Sequence, residues 1–206
     1  MEPLRFDEPD LVRSLNRLPP KLRAAFAAAC AQRLLPAYDS FARKSHRGDS
    51  LRLASILERL WSDLQGHPMP KEELSANLAT CMSLIPAEDD APWFEEQAYA
   101  EDAGAAIAYA LRALAGGDSQ EAAWAGRRAY EAVDHHLTHR VGIDASGPGG
   151  EEQLRLHPLV QAELSRQRRD LEELRQAADA GDTAIVERIR SRALAEASRL
   201  FEPQRT

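Results

Sequence analysis

The chain has 206 residues, of which 44% are apolar and 6% aromatic, and it carries a net charge of −7. This length and apolar content are enough for one hydrophobic core, so we expect a single domain over residues 1–206. The negative charge argues against nucleic acid or an anionic membrane as a partner, because both attract a positive surface. Alanine and leucine dominate the apolar residues, and this composition favours an all-α fold.

The N-terminus does not have the pattern of a secretory signal. Its first ten residues, MEPLRFDEPD, carry acids and prolines where a signal needs basic residues followed by an apolar run. No apolar stretch approaches the length of a membrane span. We therefore expect a cytoplasmic protein, with Cys30 and Cys81 as free thiols buried in helices and with no cofactor.

Helical periodicity accounts for the first half of the chain. A helix is expected to begin at Pro20 and to kink or restart at Pro36, because proline lacks the amide that a helix interior uses. The most regular pattern follows Asp49, a predicted N-cap. Residues 53–64 there place four leucines, an isoleucine and Trp61 on one face, which predicts a helix packed against the core.

The second half continues the helical pattern. A helix is predicted from about residue 93 to residue 115, and Gly116–Gly117 ends it. The next helix ends before Gly142, and the glycines and proline that follow predict a flexible loop at 142–156. Pro158 and Asp182 then begin the last two helices. Together these patterns predict a single-domain antiparallel helical bundle of about eight helices.

Several segments, taken in this order, resemble a known family. They are LPPKLRAAFAAACAQRLLPAYDSF, GDSLRLASILERLWSDL, CMSLIPAEDD with the following EDAGAAIAYALRAL, and HPLVQAELSRQRRDLEEL. Together they resemble the YjaG-like family of bacterial helical proteins, a domain of unknown function. The resemblance covers nearly the whole chain. It implies a compact, soluble helical fold and carries no established reaction or ligand, and the histidines discussed below depart from it.

The negative charge is concentrated in one segment. Between Ala87 and Asp102 there are seven acids and no lysine or arginine, so the remaining 26 basic and 26 acidic side chains cancel. Three aromatic residues lie among these acids, and two of them, Trp93 and Phe94, are adjacent. We predict that a basic protein partner contacts this acidic and aromatic face through Glu88, Asp89, Asp90, Trp93, Phe94, Glu95 and Glu96. A solvated loop and a pair of core aromatics are the structural alternative.

The stretch DHHLTH contains three of the six histidines. At 100° per residue His136 faces inward, whereas Glu131, His135 and His139 form one strip at steps of four residues. Two histidines four residues apart on a helix can both reach one metal ion, but the site needs a further ligand. Favourable interactions of these side chains with the helix dipole are the structural alternative. A third possibility is that the histidines form ion pairs with carboxylates, which would make this end of the bundle sensitive to pH near neutrality.

An antiparallel hairpin about residues 116–118 would bring these two features together. Residues whose numbers sum to about 233 would then be neighbours, which sets Glu131 near Asp102 and His135 near Ala98. The end of the helix with the histidines would meet the acidic start of the preceding helix. Additional metal ligands could therefore come from Glu95, Glu96, Glu101 and Asp102.

Two functional hypotheses follow from these patterns. The favoured one is a non-catalytic protein-binding module, of which an immunity-type or regulatory protein is one version. The alternative is a metal-dependent hydrolase with His135 and His139 as ligands and Glu131 as ligand or base. No phosphate-binding loop or nucleophile motif supports an enzyme, so the sequence favours the first hypothesis.

Overall fold

The structure is a computed structural model that describes residues 2–87 and 96–197. These residues form nine α-helices and one short π-helix. Their bounds are α1 Glu8–Asn16, α2 Pro20–Ser45, α3 Ser50–Leu64, α4 Lys71–Leu84, α5 Glu96–Gly116, α6 Ser119–His136, the π-helix Leu137–Val141, α7 Gly150–Leu156, α8 Pro158–Ala180 and α9 Ile185–Ala197. The prediction of an all-α fold with about eight helices is confirmed.

Helix α2 is the centre of the bundle. It packs against α3, α5, α6, α8 and α9, and its most extensive contact is with α5. Residues 24–31 are buried on every side of the helix, and six of these eight are alanine. Alanine lets two helix backbones approach closely, and α5 presents its own alanines to α2. The alanine-rich composition therefore provides a core made of closely packed helices.

The predicted restart at Pro36 is wrong, since α2 continues through this residue to Ser45, and the alternative of a kink stays a prediction. Proline inside a helix removes one backbone hydrogen bond and costs about 3 kcal/mol. Leu34 and Tyr38 on either side are fully buried, and the Tyr38 hydroxyl donates to the carbonyl oxygen of Leu84 at 2.6 Å. Tertiary packing on both sides of Pro36 therefore holds the helix together.

The predicted flexible loop at 142–156 is shorter than expected, because Gly150–Leu156 forms α7. Leu154 is buried and fixes this helix to the core. The Asp144 carboxylate accepts hydrogen bonds from the amide and hydroxyl of Ser146. A Cβ atom on Gly150 would lie 2.0 Å from the carbonyl oxygen of Asp144, so only glycine fits here. The turn is thus specified by its own contacts.

Other local predictions agree with the structure. The Asp49 side chain caps α3 by accepting from the amide of Arg52 at 2.8 Å. Trp61 and the leucines of α3 face the core, and Cys30 and Cys81 are free and buried. None of the helices in the described part of the chain is both long enough and apolar enough to cross a membrane.

Candidate functional site

Helices α5 and α6 form the predicted antiparallel hairpin, which brings the histidines to the acidic start of α5. Asp102 is buried, with 2% of its side chain exposed. Its Oδ1 accepts from Arg128 at 3.2 Å, and its Oδ2 lies 3.1 Å from Nδ1 of His135. The neighbour of Asp102 is therefore His135, where the register had predicted Glu131. The hairpin places a buried carboxylate between an arginine and a histidine.

The contact with Asp102 affects the pKa of His135. The hydrogen bond to Asp102 raises the pKa of His135 above its ordinary value, against the opposing effect of burial. The negative charges of Asp102, Asp134 and Glu131 raise it further. An ionised carboxylate only accepts hydrogen bonds, so Nδ1 of His135 carries the proton that points to Asp102. The ring is held in one orientation, with Nε2 as its other polar atom.

A second buried carboxylate, Glu96, begins α5. Its Oε1 accepts from Nζ of Lys44 on α2 and from Nη2 of Arg140 at 2.5 Å. Burial alone would raise the pKa of Glu96, but the hydrogen bond from Lys44 and the two positive charges lower it. Glu96, predicted to contact a partner, is thus engaged in internal ion pairs.

The charge distribution of this end of the bundle differs from the expected acidic face. Only 10% of the Glu96 side chain is exposed, against 53% for Lys44 and 44% for Arg140. His135 is likewise more exposed than Asp102. In the described part of this surface, carboxylates lie inside and the cations that neutralise them lie outside.

The remaining predicted partner contacts lie outside the described residues. They are Glu88, Asp89, Asp90, Trp93, Phe94 and Glu95. The two ends of this segment are described, and they lie side by side: Nε2 of Gln97 donates to the carbonyl oxygen of Ala87 at 2.5 Å. Gln97 is fully buried. Ala87 and Gln97, on either side of this segment, are therefore in direct contact.

The predicted metal ligands are only partly brought together. The rings of His135 and His139 lie 6.2 Å apart between centroids. Glu131 is bound by two arginines, with Arg127 Nε at 2.7 Å from Oε1 and Arg128 Nη1 at 2.9 Å from Oε2. Within residues 2–87 and 96–197 no group of three or more His, Cys, Asp or Glu side chains could hold a metal ion. The metal hypothesis stays a prediction.

The π-helix accounts for the position of His139. Helix α6 ends at His136, and Leu137–Val141 is wound more loosely, so His139 is no longer at regular α-helical spacing from His135, although the two rings remain neighbours. His139 is exposed, and His136 is half-buried with its ring centroid 6.4 Å from that of Tyr99. A regular α-helical spacing of 100° per residue does not include this change of winding.

Sequence reasoning missed a buried ionic cluster around Arg33. This residue is fully buried in α2, and its guanidinium donates to Asp170 at 2.8 Å and to Glu163 at 3.2 Å, both on α8. Arg192 on α9 donates to the second oxygen of Asp170 at 2.8 Å. One feature of the sequence could have indicated this cluster: Glu163 and Asp170 lie seven residues apart on the face of α8 that bears Leu164 and Leu174. The cluster joins three helices across the core.

The fold and these clusters define an all-α helical bundle with buried ion pairs. The chain belongs to the family described as "Protein of unknown function (DUF416)", which matches residues 10–198. It is similar in structure to a DUF416 family protein from Shewanella baltica OS155, with a TM-score of 0.77 and 22% identity over 89% of this chain and 93% of that one. At this identity the likeness shows the fold alone. No curated protein matches the chain.

The contact between the buried Asp102 and His135 predicts that the stability of the fold depends on pH. Because the pKa of His135 is raised in the folded state, its protonation stabilises the fold below its unfolded value of 6.5, and this contribution is lost as the pH rises through the folded pKa. Asp102→Asn should return the His135 midpoint towards its ordinary value in an NMR titration. Asp179→Asn, an exposed and distant control, should leave it unchanged. An equal midpoint in wild type and Asp102→Asn would contradict the assignment.

Proposed function

We propose that this protein is a non-catalytic protein-binding module that contacts a basic protein partner through the end of the bundle carrying residues 88–95. The observation that carries the proposal is the fixed base of this segment, where Gln97 binds the carbonyl oxygen of Ala87. A loop held on a rigid helical scaffold is a common arrangement for binding surfaces. An immunity-type or regulatory protein is one version of this function.

The composition of the segment fits such a partner. Residues 88–95 contain four acids, two aromatic residues and no basic residue. Carboxylates steer a basic partner towards the complex and select against acidic ones, while tryptophan and phenylalanine supply apolar contact area. Among the described acids of the region, Glu96 and Asp102 are neutralised by basic side chains of the bundle, whereas Glu101 accepts a hydrogen bond from the neutral Gln97. We therefore expect most of the charge available to a partner to come from the segment itself.

Ion pairs at the start of α5 favour binding in a second way. Glu96 follows the segment directly and is held by Lys44 from α2 and by Arg140 from the π-helix. Ordering side chains and backbone on association costs free energy, and a base that is already ordered reduces that cost. The scaffold side of the interface is therefore prepared before the partner arrives.

The test compares two variants that change the charge equally. The first is Glu88→Gln, Asp89→Asn, Asp90→Asn and Glu95→Gln combined, and the control combines Glu2→Gln, Glu72→Gln, Glu151→Gln and Asp179→Asn at exposed positions. A partner captured from the native host with the wild-type protein is purified, and its association rate is measured at low salt. We expect the segment variant to associate about tenfold more slowly or worse. The control should remain within about twofold of wild type.

Two results would contradict the proposal. One is an unchanged association rate for the segment variant at low salt. The other is a capture experiment in which the wild-type protein retains no protein that the segment variant loses. Raising the salt concentration should reduce the difference between the variants, because it screens the charges that steer association.

One observation favours the alternative of a metal-dependent hydrolase. Metal-binding histidines commonly donate their second ring nitrogen to a carboxylate, and His135 has this relation to Asp102. Against it, the carboxylate of Glu131 is engaged by two arginines. Adding zinc during the His135 titration separates the two functions. A metal site requires the His135 and His139 resonances to shift together and to stop titrating.

Two finer expectations from the sequence belong with this proposal. The resemblance to the YjaG-like family is a finer assignment than the family of unknown function to which the chain belongs, and this finer assignment stays a prediction. The cytoplasmic location also stays a prediction. Both are compatible with a binding module that acts on a protein partner inside the cell.

A further inference from the structure

A groove of about 520 Å³ lies between α1 and α8. Both helices pack on α6, and the groove is the space left between them. The residues before α1 form a further wall: the side chain of Gln161 on α8 donates to the carbonyl oxygen of Leu4 at 2.9 Å and accepts from its amide at 2.8 Å. Phe6 stacks on Tyr130 of α6 at 5.1 Å. The groove is therefore built by long-range contacts.

The floor of the groove is apolar. Leu11 of α1 and Leu164 of α8 are buried there, and Leu171 lies half-buried beside them. The one buried amide side chain in the floor, Gln167, is already bonded, because it donates to the carbonyl oxygen of Gly126 and to Glu163 at 3.0 Å each. A bound apolar group would thus meet leucine side chains and would leave no buried polar group of the floor without a partner.

The rim of the groove carries three arginines that have no side-chain partner. The side chains of Arg5, Arg17 and Arg168 are exposed and make no hydrogen bond or ion pair within the described residues. Arg5 and Arg168 influence Glu152 and Glu172 only at longer range. Every other arginine of residues 2–87 and 96–197 has a hydrogen bond, an ion pair or a ring contact. All three unpartnered guanidinium groups therefore line one groove.

The acids of the groove do not balance these charges. Asp7 caps α1 by accepting from the amide of Asp10, Asp10 pairs with Arg13, and Glu172 pairs with Arg175. The amide that Asp7 binds carries no charge, so four arginines face three carboxylates around the groove. In a chain whose overall charge is −7, the groove lining thus has an excess of one positive charge over an apolar floor.

We propose that this groove binds a small amphipathic anion, namely a carboxylate or phosphate monoester attached to an apolar chain or ring. Guanidinium groups bind carboxylates and phosphates through paired, charge-assisted hydrogen bonds, and the leucines of the floor accept the apolar part. The volume lies within the range of about 300–1,000 Å³ found for small-molecule sites. This site is separate from the proposed protein-binding segment and shares no residue with it.

The test uses the fluorescent amphipathic anion 8-anilinonaphthalene-1-sulfonate with the full chain. We expect saturable binding to the wild-type protein and about tenfold weaker binding or worse to the Arg17→Gln, Arg168→Gln variant. The control is Arg43→Gln with Arg188→Gln, two exposed arginines outside the groove, which should stay within about twofold of wild type. In NMR spectra of the wild-type protein, the probe should shift the amides of Leu11, Ser14 and Leu171.

Competition then identifies the chemistry of the ligand. Decanoate and decyl phosphate should both displace the probe, and the one that acts at lower concentration identifies the preferred anionic group. Decyltrimethylammonium has the same chain and the opposite charge, and displacement by it at equal concentration would overturn the proposal. So would equal displacement by inorganic phosphate, equal loss of binding in both arginine variants, or amide shifts confined to other helices.

Discussion

Replacing Arg33 with methionine is expected to lower the free energy of unfolding by about 3–5 kcal/mol. The change removes a fully buried cation and leaves Glu163 and Asp170 without the group that contacts both. Each carboxylate keeps one other arginine, Arg166 at 3.4 Å and Arg192 at 2.8 Å, but both of these lie nearer the surface. Urea denaturation measures this loss directly when the slope of the unfolding free energy against urea concentration is the same for the variant and the wild type.

Two further variants separate this effect from a simple loss of packing. Arg13→Met removes an exposed arginine that pairs with Asp10, and it should change stability by less than about 1 kcal/mol. Combining Arg33→Met with Glu163→Gln and Asp170→Asn removes the uncompensated charges, so it should recover part of the loss. If the triple variant is less stable than Arg33→Met alone, the loss does not come from unpaired buried charge.

Replacing Trp61 with alanine should cost a similar amount, about 3–5 kcal/mol. The side chain is fully buried between α3 and α2, and its Nε1 donates to Oε1 of Gln32 at 3.1 Å. Alanine leaves a cavity and removes the donor from a buried amide oxygen, and both effects destabilise the fold. The midpoint of thermal or urea unfolding measures the change.

The matched control for Trp61 is Trp124 on α6, which is half-buried against Tyr109 with ring centroids 5.4 Å apart. Trp124→Ala should cost about 0.5–1.5 kcal/mol, because it loses a partly exposed aromatic contact and opens no sealed cavity. The loss of stability for Trp61→Phe should lie between the losses for Trp61→Ala and Trp124→Ala, since phenylalanine fills part of the space but leaves Gln32 unpaired. Equal losses for Trp61→Ala and Trp124→Ala would contradict this account of the core.

Trp61 and Arg33 also mark what the sequence could and could not predict. Trp61 and the leucines of α3 recur at helical spacing, and that local pattern is enough to predict that Trp61 faces the core. Arg33 lies in an apolar stretch of α2, where a charged residue is usually taken to reach the surface. Its burial depends on acids about 130 residues away on α8, and no local pattern contains that information.

The candidate site shows the same limit. The turn at residues 116–118 and the equal rise of two helices were sufficient to bring the histidines to the acidic start of α5. The inward direction of Glu96 was not predictable in this way, because it depends on Lys44 from α2, which is not part of the hairpin. The π-helix likewise changes the helical winding between His135 and His139. The contacts of a third helix and a change in helical winding are not contained in the register of a two-helix hairpin.

The hydrogen bond between Gln97 and Ala87 fixes the two ends of the segment between them. The stability of the bundle should therefore depend only weakly on the length of that segment. For a loop with fixed ends, the entropy of closure grows only with the logarithm of its length, and doubling that length costs about 0.6 kcal/mol. Insertions between Ala87 and Glu96 are therefore expected to cost little free energy of unfolding. Under the proposed binding function, this is the position where new specificity would be introduced while the helices keep their packing.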